Sequence, residues 1–150
     1  TLAEEIDMLQ KYLELEGLRF ESDFTFAVTV NDEVDADYIQ LPPMLIQPYV
    51  ENAIRHGLLH KQGEKNVQVN FVFDEPNRLL QCTITDNGIG RAASAEINKW
   101  RKQLHESFST SANARRLDLL NQHRDEKIGV QYHDLDNGTK VTILIPVSYD

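Results

Sequence analysis

The stretch Leu41 to Gly57, LPPMLIQPYVENAIRHG, commits the chain to packing a helix against a sheet. Met44, Ile46, Tyr49, Val50, Ala53 and Ile54 recur at roughly helical spacing, the mark of a helix with one buried side. Proline is tolerated in a first helical turn, so Pro42-Pro43 is expected to open the helix. Its other side carries chemistry. Asn52 and His56 are four apart and share a face, while Glu51 lies on an adjoining line with Gln47 and Arg55. A carboxylate, an amide oxygen and an imidazole so arranged can hold a divalent cation and a phosphate chain, if a second element brings the rest of the ligand.

The remaining chain supplies that sheet. Thr1-Leu2-Ala3-Glu4 has the form of a capping box, and Leu2, Ile6, Leu9 and Leu13 predict an amphipathic helix to about Glu16. Because the chain opens on an established helical pattern, a longer protein with a helical preceding part is expected. Phe24–Val30 alternates as a strand, Asn31–Asp37 is an acidic turn, and Lys61–Glu64 is a polar break. Val67–Phe73 and Arg78–Thr85 form a hairpin turning at Asp74–Asn77. A weak helix over Ala92–Leu104, a Ser/Thr-rich linker over Ser107–Ser111 and a helix to about Gln122 follow. Two last strands, Ile128–His133 and Thr139–Ile145, meet at Asp136-Asn137-Gly138. This order predicts an α+β fold, a two-layer sandwich of a mixed sheet covered by helices.

Charge and composition remove several function classes. A net charge of −9 repels nucleic acid and anionic membrane. No apolar run reaches the roughly 18 residues a membrane helix needs, and no signal-peptide pattern is present. The single cysteine, Cys82, lies in an apolar strand and reads as a reduced core residue of a cytosolic domain. Between Arg91 and Arg116, six basic residues face two acidic ones, a local excess that either meets an anion or forms a solvated helix face.

Asp86-Asn87-Gly88-Ile89-Gly90 is the second chemical motif. Asp136-Asn137-Gly138 is explained as a hairpin turn, whereas Asp86-Asn87-Gly88 is followed by another glycine and helix-forming sequence. A carboxylate ending a buried strand can accept a hydrogen bond from an exocyclic amine, while glycines let backbone approach a ring and phosphates.

The pair of motifs resembles the N box (Leu41–Gly57) and the G1 box (Asp86–Gly90) of the GHKL ATPase superfamily. Gln47-Pro48-Tyr49-Val50-Glu51-Asn52-Ala53 is similar to the LytS-like sensor histidine kinases of bacterial two-component systems, which share Pro48 where many histidine kinases carry asparagine. The first helix, with Glu4-Glu5-Ile6 and Tyr12 to Phe20, resembles the segment joining phosphoacceptor helices to the ATPase domain, so residues 1–20 are expected to be a connector and 21–150 the catalytic domain. The resemblance implies the Bergerat fold, with ATP held under a mobile lid. Asn52 would coordinate Mg²⁺, Glu51 would be the polar group at the γ-phosphate end, and His56 and Arg55 would lie by the phosphates. Asp86 would take the adenine amino group, with Asn87, Gly88, Ile89 and Gly90 around it, and the basic segment Arg91–Arg116 would be the lid.

Two departures from the family pattern stand out. The second glycine-rich box would fall at Ser107–Ala112, which has no glycine; the hydroxyls of Ser109 and Thr110 would have to serve the phosphates. No phosphoacceptor histidine is evident. His56 belongs to the nucleotide helix, His105-Glu106 lies in the wrong order, and His60, His123 and His133 read as surface residues. The resemblance therefore implies the catalytic domain of a sensor histidine kinase whose acceptor histidine lies on an upstream dimerisation domain. A response regulator as partner, a homodimeric full-length protein and a cytoplasmic position in a membrane-anchored bacterial sensor follow from it. A related ATPase or serine kinase, and a nucleotide-blind interaction module of the same fold, stay open as alternatives.

Overall fold

A computed structural model describes residues 1–20, 23–58, 61, 63–90 and 108–147, with backbone only for 108–111. Along the chain come α1 (Leu2–Phe20), β1 (Phe24–Val30), α2 (Gln47–Asn52), β2 (Lys65–Asp74), β3 (Leu79–Asp86), α3 (Phe108–Asn121), β4 (Gly129–Leu135) and β5 (Gly138–Pro146). Helix α2 runs on without a break into a π-helical turn, Ala53–Leu58. The strands form one sheet in the order β1-β2-β3-β5-β4. β1 and β2 are parallel, so their connection must cross over, and α2 is the crossover. The other pairs are antiparallel, which makes the sheet mixed as expected.

Period-two alternation decides which face is buried. Val67, Val69, Phe71 and Phe73 of β2 lie inward, opposite Asp86, Ile84, Cys82 and Leu80 of β3, which pair in turn with Thr139, Val141, Ile143 and Ile145 of β5. Helices cover this face and much of the other meets solvent, so the molecule is a two-layer α+β sandwich. Leu2, Leu9 and Leu13 of α1 and Ile46, Val50 and Ile54 on and beside α2 complete the same core. Cys82 is buried within it, and burial, reinforced by the charge of Glu5, pushes its thiol well up from its ordinary value.

Several boundaries differ from the sequence expectations, each for a physical reason. Helix α1 reaches Phe20, four residues past Glu16. Residues 41–46 are not helical, and the helix opens at Gln47. Pro48, not Pro42-Pro43, sets this start: lacking an N–H and clashing with the preceding turn, it fits only in the first turn, where it is found. Ser109, Thr110 and Ser111 belong to the first turn of α3 rather than to a linker. The expected helix Ala92–Leu104 lies outside the described residues.

The hairpin of β4 and β5 closes through Asp136-Asn137, with Leu135 paired to Gly138. Gly138 has φ +122, and a Cβ there would stand 1.9 Å from the Asp86 carbonyl oxygen. Gly138→Ala is therefore expected to cost about 3 kcal/mol or more, from backbone strain and overlap together. Gly129→Ala meets nothing within 4 Å and serves as the control. Urea unfolding of both variants checks this, and equal midpoints would contradict it.

Candidate functional site

The site is built from the far end of α2 and the loop that leaves β3. Gly57, in the π-helical turn, and Gly88, in the loop, touch backbone to backbone: a Cβ on Gly88 would lie 2.4 Å from the Gly57 carbonyl. The Ile89 N–H donates to the Gly57 oxygen at 3.1 Å. A Cβ on Gly57 would in turn stand 2.7 Å from the Asp86 Oδ1. The two motifs separated in sequence thus meet through positions with no room for a side chain.

Asp86 ends the inward column Leu80, Cys82, Ile84 and is 4% exposed. The Gly88 N–H donates to its Oδ1 at 2.8 Å. Burial pushes the carboxyl from its ordinary 3.8 up to about 6, against the opposing pull of backbone hydrogen bonds from Gly88 and Thr139 and the charge of Lys61. Lys61 reaches across to donate to the Asn87 carbonyl. The Asn87 side chain is spent on backbone: Oδ1 accepts from the Asn66 N–H at 2.7 Å and Nδ2 donates to the Glu64 carbonyl at 3.1 Å. It anchors the loop to β2. Gly90 holds φ +83, a conformation that favours glycine.

On α2, Glu51, Asn52 and His56 are half-buried and Arg55 is exposed. The Gln47 amide donates to Glu51 Oε1 at 3.2 Å, which holds that carboxylate along its own helix line. The expectation that Asn52 and His56 share a face assumed α-helical winding throughout. From Ala53 onward the turn is wider, with i to i+5 bonds, so alignment shifts toward positions five apart. Single π turns of this kind cluster at functional sites.

Arg116, expected to face an anion from the lid, does something else. Its guanidinium donates to the carbonyls of Met44, at 2.6 Å, and Pro43. Met44 sits at φ +57, a conformation costly for a side-chain-bearing residue, so α3 clamps a strained bend just before α2. Arg91–Ser107, the main part of the basic segment, lies outside the described residues, as do the side chains of Ser109 and Thr110. One contributor escaped the sequence reading. Glu5, 6% exposed on α1, accepts from the Ile46 N–H at 2.7 Å and the Gln47 N–H at 3.4 Å. Its place between Leu2 and Leu9 on the apolar stripe was the available signal.

The donor set fits a magnesium nucleotide. A buried acceptor ends β3, glycines lie where a ring would approach backbone, and oxygen-bearing Glu51 and Asn52 stand on the adjoining helix; Mg²⁺ needs only one or two such protein ligands beside phosphates and water. Among the described residues no group of three or more His, Cys, Asp or Glu forms a metal centre of its own, and no helix is long and apolar enough to cross a membrane.

The raised Asp86 carboxyl has a testable sign. The folded state holds the proton between about pH 4 and 6 where the unfolded chain has lost it, so stability falls as pH rises through that window. The expected loss is on the order of 2–3 kcal/mol. Asp86→Asn removes it, so the stability difference between parent and variant, read from urea midpoints, should change across this range and be flat above it. A difference constant from pH 4 to 7 would contradict the assignment.

No protein-family profile matches the chain. Curated relatives do. The sensor protein LytS of Staphylococcus haemolyticus is 34% identical over 60% of this chain and 15% of its own length. LytS of Oceanobacillus iheyensis is 28% identical over 97% of this chain and 25% of its own length. The chain thus spans a quarter or less of these relatives. Among solved structures, the catalytic domain of the histidine kinase ThkA superposes with a TM-score of 0.63 at 13% identity, covering 99% of this chain and 95% of that one. The chain is similar to the LytS sensor proteins along most of its length and has the fold of a histidine kinase catalytic domain.

Proposed function

We propose that this chain binds Mg·ATP between α2 and the loop after β3, and that it transfers the γ-phosphoryl group to a histidine on a separate phosphoacceptor domain. The observation that carries this reading is the buried Asp86 carboxylate, set under the contact of Gly57 with Gly88. Such a carboxylate accepts a hydrogen bond from the adenine amine, and the glycines admit the ring. Asn52 is the Mg²⁺ ligand, Glu51 the polar group at the γ-phosphate end, and His56 and Arg55 neighbours of the phosphate chain. Gly88, Ile89 and Gly90 shape the nucleotide pocket, while Asn87 supports the loop from behind. Ser109 and Thr110 close on the phosphates in place of glycines. Bound Mg²⁺ supplies charge neutralisation on the triphosphate; the chain's own part is positioning.

The acceptor lies outside this chain, on an upstream dimerisation domain. A response regulator takes the phosphoryl group onward, and the whole protein works as a homodimer with this domain on the cytoplasmic side of a membrane-anchored sensor.

Calorimetric titration with a nonhydrolysable ATP analogue and Mg²⁺ tests the site. Asn52→Ala and Asp86→Asn are each expected to weaken binding by about 10-fold or more. Absence of detectable binding by the parent at millimolar analogue would overturn the kinase reading. Incubated alone with ATP, the chain should acquire no acid-labile phosphohistidine; its appearance would show that one of the five histidines is the acceptor after all.

A further inference from the structure

Helix α1 touches α2 through an interaction its sequence position conceals. Its inward stripe is Leu2, Glu5, Leu9 and Leu13, so a carboxylate stands in an otherwise apolar column. An acidic side chain there is costly unless it is paired. Glu5 is paired with backbone: it accepts from the Ile46 and Gln47 N–H groups, 41 and 42 residues away. These belong to the donors that a helix start leaves without partners, and Ile46 at the N-cap makes no side-chain cap of its own. A serine or aspartate at that position would reach the N–H groups two and three residues on and not these two. Here the cap comes from a different helix, so the start of α2 is tied to α1.

The tie continues toward the site. Gln47, whose N–H Glu5 receives, donates from its side chain to Glu51, next to Asn52. Farther along α1, Tyr12 faces the same helix: burial pushes its hydroxyl up to about 12, with the charges of Glu16 and Glu51 adding to the shift. Helix α1 therefore borders α2 both at its first turn and beside Glu51.

We propose that Glu5 is a positioning residue for the Mg²⁺ side of the nucleotide site, fixing the start and rotation of α2 and, through Gln47, the placement of Glu51 and Asn52. This rests on the Mg·ATP reading given above. The adenine side depends instead on Asp86 and the glycine contact at the opposite end of the helix. Loss of Glu5 thus acts unequally on the two ends, which a merely structural role would not do.

The test compares affinity for a nonhydrolysable ATP analogue with Mg²⁺ and with EDTA, in the parent, Glu5→Ala, Glu5→Gln and Gln47→Ala, at a temperature where circular dichroism shows each folded. Glu5→Ala should lose about tenfold of the Mg²⁺-dependent gain while its affinity in EDTA stays within about twofold of the parent. Glu5→Gln keeps an acceptor oxygen and should retain most of the gain, and Gln47→Ala should reproduce the loss in weaker form. Equal losses with Mg²⁺ and EDTA in Glu5→Ala, or no loss in either, would overturn the positioning role. If Glu5→Ala fails to fold, an unchanged Mg²⁺-dependent gain in Gln47→Ala overturns it. A parent with nucleotide affinity but no Mg²⁺-dependent gain would overturn the magnesium reading and this proposal with it, while a parent without any affinity would overturn the nucleotide reading as a whole.

Discussion

The structure depends on one close approach, the contact of Gly57 with Gly88. The backbone of Gly57 excludes any Cβ from Gly88, and the Asp86 carboxyl group crowds the place a Cβ on Gly57 would take, so glycine is favoured at both positions. The Ile89 N–H bond to the Gly57 carbonyl fixes the loop along the helix as well as against it. This contact ties the crossover helix to the end of β3, and it brings Asp86 beneath the helix end. It also accounts for the π turn. A wider winding over Ala53–Leu58 brings Gly57 to the loop while Ile54 and Leu58 stay buried, so the turn serves packing and site together.

A helix held at one end only would still rotate, and the structure fixes the other end with groups from distant parts of the chain. Glu5 from α1 takes the first N–H groups of the helix, and Arg116 from α3 takes the carbonyls of the bend before it. Met44 lies in a left-handed conformation worth roughly 1–3 kcal/mol of strain, which persists only where surroundings over-determine it. Arg116 and the buried Leu45 and Ile46 provide that determination. Neither charged residue acts mainly through an opposite charge. Each replaces a missing backbone partner, and removing either would leave main-chain groups unsatisfied in a partly or wholly buried place.

How much was legible in the sequence follows from the range of the forces involved. Alternation in Val67–Phe73 and Leu79–Thr85 is a local signal, and the sheet came out as the alternation required. The two motifs were legible because unusual polar residues stood in apolar elements. The π winding was not, since it answers a tertiary contact that no local pattern encodes. Glu5 was obscured for a different reason: Ile6 offered an equally good fit to the apolar repeat, yet the structure buries Glu5 and leaves Ile6 only partly covered. Arg116 read as a cation awaiting an anion, although carbonyl oxygens 72 and 73 residues away satisfy it just as well. Composition shows that such a charge needs partners and is silent on which.

Asp86 marks the boundary between what the fold needs and what a ligand would supply. An apolar residue would extend the column of Leu80, Cys82 and Ile84 at less cost, and the hydrogen bonds from Gly88 and Thr139 with the Lys61 charge offset only part of the burial penalty. The carboxyl settling near 6 is the measure of that shortfall. An N–H donor arriving at the carboxylate would favour its charged form and make up the difference. Ionisation and ligand binding would then promote one another, and on the proposed reading a group that weakens the empty fold is the one that would recognise an amine.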